Sequence, residues 1–166
     1  MKPGLVSLRE AKEKPGYLYQ KIWGTAHNVT DELGMTRIAR PPGAVIKVLH
    51  VEDDPSVAGA IARALQLHGY EVVSAASGDE AIHLIEHGLI PDLILTDYRL
   101  PLQMTGDQVI TEIETRLGFK PPTILLASLS TREVEKLKSR ADRVFTKPTG
   151  IDELCREIER LLGKRA

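Results

Sequence analysis

Pro91-Asp92-Leu93-Ile94-Leu95-Thr96-Asp97-Tyr98-Arg99-Leu100-Pro101 is the stretch that decides the fold. Leu93 to Thr96 form a short apolar, partly β-branched run between two prolines. Such a run reads as a strand covered on both faces, as the strands of a parallel sheet are. It stops on Asp97. In an open α/β sheet, ligands sit beyond the carboxyl ends of the strands. Asp97 is therefore expected as a carboxylate at the mouth of a crevice. A lone acid at a strand end is a weak signal, because caps and turns use acids too, so the reading rests on what the other strand ends carry.

Working outward, the same alternation recurs on both sides. Upstream, Val45–Val51 is an apolar strand that ends on Glu52-Asp53-Asp54-Pro55. Pro55–Leu67 follows as a helix with Val57, Ala58, Ile61, Ala64 and Leu65 inward, and Gly69 stands at its C-cap position. Tyr70–Ala75 is the second strand. Ser77-Gly78 turns into a helix over Asp79–His87, with Ala81, Ile82 and Ile85 inward. Downstream of Asp97, a loop with Gly106 leads into a helix over Asp107–Leu117. Pro121-Pro122 introduces a fourth strand, Thr123–Ala127, and Ser130 or Thr131 caps a charged helix, Glu133–Arg140. Arg143–Lys147 is the fifth strand, and Asp152 starts the last helix, to Leu162. Strands alternating with helices of this length imply a parallel sheet with right-handed crossovers. The expected fold is α/β: a (βα)5 flavodoxin-like three-layer sandwich with parallel sheet order 2-1-3-4-5.

Residues 1–44 differ from this pattern. They are rich in Pro and Gly, and Pro41-Pro42-Gly43 marks a boundary. We read 1–44 as a partly helical N-terminal arm, with helices near Leu5–Lys14 and Thr30–Arg40 and an apolar cluster of Tyr17, Tyr19, Ile22 and Trp23. Residues 45–166 are the main domain. The chain of 166 residues is 42% hydrophobic, enough for one full core. Its formal net charge of -1 supplies no drive toward nucleic acid or an anionic membrane. The single cysteine, Cys155, excludes an internal disulfide framework. No apolar run approaches the roughly 18 residues that span a bilayer, so a cytoplasmic location is expected. His50, His68, His83 and His87 are scattered and show no shared metal spacing.

Ionisable groups stand at the ends of the first, third and fifth strands: Glu52 and Asp53, then Asp97, then Lys147 before Pro148. In a sheet of this order the first and third strands are neighbours. Three carboxylates would then converge with one ammonium. Like charges that close repel strongly unless a cation fills the cluster. Hard oxygen ligands suit Mg2+. A carboxylate beside a divalent ion, with a lysine opposite, has the makings of a phosphoryl acceptor.

The motifs Val48-Leu-His-Val-Glu-Asp-Asp-Pro55, Pro91–Pro101, Thr105-Gly106 and Phe145-Thr-Lys-Pro148 together resemble a two-component response-regulator receiver domain. The Asp97-Tyr-Arg-Leu-Pro wording with Met104-Thr-Gly is most similar to receivers attached to hybrid sensor kinases. The resemblance covers 45–165. It implies Asp97 as phosphoacceptor and Glu52, Asp53, Asp97 and the carbonyl of Arg99 as Mg2+ ligands. It further implies Lys147 as a phosphoryl contact, with the Lys147–Pro148 bond often cis. Asp54 is expected to cap the next helix instead. A sensor histidine kinase or histidine phosphotransfer protein would be the donor. Signalling would run through protein contacts, with the fourth and fifth helices or the N-terminal arm as a homodimer surface. The chain would carry phosphate and not turn over substrate as an enzyme does. The alternative is a pseudo-receiver, an interaction module with an impaired switch.

The chain departs from the family pattern in two places. Receivers usually carry Thr or Ser at the end of the fourth strand, where this chain has Ala127; Ser128, one residue on, replaces that hydroxyl only if the loop bends. Three before Lys147, where Tyr or Phe is usual, stands Val144. Readout by a route other than the usual hydroxyl and aromatic pair is expected. Arg99 and Leu129, which flank the water path to the acceptor, carry no carboxylate or amide to orient water, so self-dephosphorylation should be slow.

Overall fold

The computed structural model describes residues 28–30, 36–38, 43–102 and 104–162. Two units are distinguished, one comprising residues 45–116 and 120–166. In the other, β1 (Asn28–Thr30) pairs antiparallel with β2 (Thr36–Ile38). The helix expected over Thr30–Arg40 is therefore wrong. Val29, Thr30, Thr36 and Ile38 are β-branched, and such side chains favour strands over helices. The helix expected near Leu5–Lys14 and the Tyr17–Trp23 cluster lie outside the described residues.

The larger unit holds β3 (Lys47–Val51), α1 (Pro55–Leu67), β4 (Glu71–Ala75), α2 (Gly78–Glu86), β5 (Leu93–Asp97), α3 (Gly106–Leu117), β6 (Thr123–Ala127), α4 (Thr131–Leu137), β7 (Arg143–Thr146) and α5 (Ile151–Leu162). The sheet order is β4-β3-β5-β6-β7 and every pairing is parallel. That is the expected 2-1-3-4-5 order. Boundaries differ from the expected ones by a residue or two at most ends, and α4 stops three residues early, at Leu137.

Registers explain the layers. Val48, Leu93, Leu95, Ile124, Leu126 and Phe145 share a core cluster with Leu65 of α1 and with Leu154, Cys155 and Ile158 of α5. The alternate strand positions Leu49, Val51, Ile94 and Leu125 are buried too, as are Ala81, Ile82 and Ile85 of α2 and Val109, Ile110 and Ile113 of α3. A strand buried on both faces carries no polar alternation, which is why β5 and β6 read as continuous apolar runs. Val57, expected inward on α1, is 37% exposed. It sits in the first turn, ahead of the point where α1 settles on the core through Leu65. No helix among the described residues is long and apolar enough to cross a membrane.

Candidate functional site

The sheet order brings the carboxyl ends of β3 and β5 side by side. Ladder hydrogen bonds continue just past the strands and fix the backbone there. Glu52 N–H donates to Ala75 O at 3.0 Å, Tyr98 N–H to Leu126 O at 2.8 Å, and Lys147 N–H to Ala127 O at 2.9 Å. Asp54 turns the chain into α1. Its carboxylate accepts from Ser56 N–H at 2.8 Å and Val57 N–H at 3.2 Å, so it is a helix cap as expected. The cap occupies Asp54 and leaves Glu52 and Asp53 for the crevice.

Glu52, Asp53 and Asp97 each place a carboxylate oxygen within 4.8 Å of the others. Among the described residues no other group of three or more His, Cys, Asp or Glu comes together in this way. Glu52 is 4% and Asp97 8% exposed, while Asp53 lies at the surface. Lys147 reaches in from the end of β7, its Nζ 2.9 Å from Asp97 Oδ2 and 3.3 Å from Glu52 Oε2. Burial alone would lower the ammonium's pKa. The hydrogen bond and charge of Asp97, with Glu52 behind them, outweigh burial and hold it above the ordinary lysine value. The Lys147–Pro148 peptide is cis.

Three carboxylates against one ammonium leave two negative charges uncompensated in a largely buried pocket. A divalent cation with hard-oxygen preference fits that donor set and that charge. Past β5 the chain ends are held together on either side of the turn. Arg99 and Thr105 form an antiparallel bridge, and Gly106 N–H donates to Tyr98 O at 2.8 Å. Gly106 packs so tightly that a Cβ there would lie 2.2 Å from the carbonyl oxygen of Asp97. The Arg99 side chain is exposed.

The structure thus gathers Glu52, Asp53, Asp97 and Lys147. It does not gather Ser128, which is exposed one residue past the fully buried Ala127. Val144 stands in β7 where the family's aromatic would be. One residue was given no role in the sequence beyond being one of the scattered histidines. His50, two before Glu52 on β3, is fully buried, and neither ring nitrogen has a hydrogen-bond partner among the described residues. Burial first, and the Lys147 charge second, push its pKa down to about 4, so the ring is neutral. The signal was there to read: an imidazole in the middle of an apolar strand.

The family model for the response regulator receiver domain matches residues 48–159. Transcriptional regulatory protein TrcR of Mycobacterium tuberculosis is 32% identical over 131 residues, which are 78% of this chain and 50% of that protein. Regulatory protein AtoC of Escherichia coli is 31% identical over 121 residues, 72% of this chain and 26% of that one. The chain spans about half the length, or less, of the curated relatives it matches. Among solved structures, the receiver domain of Francisella response regulator 1452 is 33% identical with a TM-score of 0.63, covering 70% of this chain and 96% of that one. The chemotaxis response regulator CheY4 of Vibrio cholerae is 28% identical with a TM-score of 0.64, covering 72% and 100%. The receiver of hybrid histidine kinase CckA is 27% identical with a TM-score of 0.59, covering 70% and 99%.

Proposed function

The chain belongs to the response regulator receiver domain family of two-component systems, and from that premise we propose that Asp97 accepts a phosphoryl group from a phosphohistidine. The observation that carries this is the Asp97 carboxyl at the end of β5, with Lys147 Nζ at 2.9 Å and the acid pair within 4.8 Å. An Asp97 oxygen attacks phosphorus, the phosphorus–nitrogen bond breaks, and the electron pair leaves with the donor imidazole. The product is an acyl phosphate on Asp97. Lys147 is placed to move from the carboxylate to an oxygen of the transferred group, where its charge stabilises the transition state. Glu52, Asp53, Asp97 and the Arg99 carbonyl would hold Mg2+, which when bound supplies charge neutralisation for the phosphoryl oxygens. Glu52 keeps Lys147 in place through its second contact, at 3.3 Å.

The donor would be a sensor histidine kinase or a histidine phosphotransfer protein. The chain would then act through protein contacts, as a carrier of phosphate in a phosphorelay and not as an enzyme. Its fourth and fifth helices, α4 and α5, would offer a partner or homodimer surface. Ala127 supports the second reading, a pseudo-receiver: with no hydroxyl at the end of β6, and Ser128 exposed beyond it, the usual phosphoryl contact is missing.

Intact mass after incubation with acetyl phosphate and Mg2+ separates the two. The expected result is a gain of one phosphoryl group that is lost in Asp97→Asn and decays slowly. No adduct on the wild-type chain would leave only the interaction module. An adduct that persisted in Asp97→Asn would move the acceptor elsewhere.

A further inference from the structure

The phosphoacceptor pocket leaves unused a pair of imidazoles on α2. His83, in its last turn, and His87, its C-cap, are four residues apart, both exposed, with ring centroids 3.9 Å apart. Residues i and i+4 lie one above the other on a helix, so a spacing that looks scattered in the sequence becomes a shared face. The two rings are tilted 41° to one another, not stacked flat.

The bond within this pair selects a tautomer. His87 Nδ1 lies 2.8 Å from the carbonyl oxygen of His83. A carbonyl can only accept, so Nδ1 carries the proton and Nε2 keeps its lone pair. Histidines that bind metals are commonly held this way, one ring N–H on a carbonyl and the other nitrogen on the ion. The helix terminus adds partial negative charge from its last carbonyls, which favours a cation. Glu86 contributes further negative charge, although Arg116 Nε engages its carboxylate at 2.8 Å.

We propose that His83 and His87 form a binding site for a late first-row divalent cation, Cu2+ most tightly and Zn2+ after it, with water completing the coordination. Imidazole nitrogen suits these ions, whereas the oxygen pocket at Asp97 suits Mg2+. The two sites are also apart in space. In a parallel sheet each helix runs back from the carboxyl ends of the strands, so the end of α2 lies at the opposite edge of the sheet from Asp97. The site therefore stands independently of the phosphoacceptor reading.

The test uses the full chain with Mg2+ in excess at the carboxylate pocket. Cu2+ is titrated under electron paramagnetic resonance and Zn2+ under calorimetry. One equivalent is expected, with hyperfine splitting from two imidazole nitrogens. Either His83→Gln or His87→Gln should weaken binding by about tenfold or more. Zn2+ should also raise the melting temperature of the wild type but not of the double variant. Both side chains are exposed, so the variants retain the core. Unchanged binding in the double variant, or loss of binding in Asp97→Asn, would overturn the assignment.

Discussion

At the scale of single residues, His50 is a costly choice, a fully buried ring with no hydrogen-bond partner among the described residues. Its neighbours Val48, Leu49 and Val51 are apolar and fully buried, and an apolar side chain would suit the position equally well. A buried polar group without a partner costs about 1–3 kcal/mol. The ring also makes the fold acid-sensitive. Its folded pKa, about 4, lies below the unfolded value of 6.5, so between these values the unfolded chain binds the extra proton. The neutral ring costs nothing in protonation above pH 6.5. As pH falls from 6.5 to 4, stability drops by up to roughly 3 kcal/mol. His50→Val is expected to be at least as stable at pH 7 and to lose that acid limb. Chemical denaturation at a series of pH values measures both, and an unchanged pH profile would show that His50 is not the group responsible.

At the scale of elements, the site depends on loops held against strand ends. Gly106 is the contact point between the start of α3 and β5. Its missing Cβ leaves room for the Asp97 carbonyl, and Leu125 Cδ1 would lie 2.8 Å from that Cβ. Gly106→Ala must push α3 away or displace Asp97. A cost of about 1–3 kcal/mol is expected, the usual range for overpacking, together with slower adduct formation on Asp97. Denaturation and acetyl phosphate uptake measure the two effects, and a variant as stable and as fast as the wild type would contradict the packing argument. The loop from β6 to α4 belongs to the same scale. Glu133 accepts from Ser130 N–H at 3.0 Å and Ser130 Oγ–H at 2.6 Å, which ties residue 130 to the start of α4. With Ala127 offering no hydroxyl and Val144 no ring to rotate, neither side chain draws the 128–132 loop onto Asp97. Free and beryllofluoride-bound crystal structures should superimpose there. A full inward shift ending in a bond from Ser128 would restore the common mechanism.

At the scale of the molecule, a near-neutral chain concentrates its imbalance in one crevice. Formal net charge is -1 over 166 residues. Three of its acids and one lysine meet within a few ångströms at the strand ends. An ion that binds this pocket only in the folded state stabilises the whole domain by mass action, about 2.7 kcal/mol at one hundred times its dissociation constant. Mg2+ should therefore raise the melting temperature of the wild type by several degrees, and Asp53→Asn should lose most of the rise. A melting temperature indifferent to Mg2+ would argue against the pocket as a metal site.

Much of this was legible in the sequence because the signals are local. Continuous apolar runs such as Leu93–Thr96 mark strands covered on both sides, and helices of fixed length between them force a parallel sheet. Glu52, Asp53, Asp97 and Lys147 each stand where a strand run stops, so the topology alone sends them to one edge. Asp54 could be separated from its neighbours because a helix start needs a cap. The antiparallel β1–β2 pair was missed because its strands are three residues each, too short for periodicity to outweigh a plausible helix. What only the tertiary structure decided are facts about distance and enclosure. Lys147 spans from β7 to Asp97 at 2.9 Å, His50 is sealed with no hydrogen-bond partner among the described residues, and Gly106 abuts a carbonyl. Sequence pattern assigns a residue to an element and a face. How closely two side chains approach, and whether water still reaches them, depends on how the elements pack.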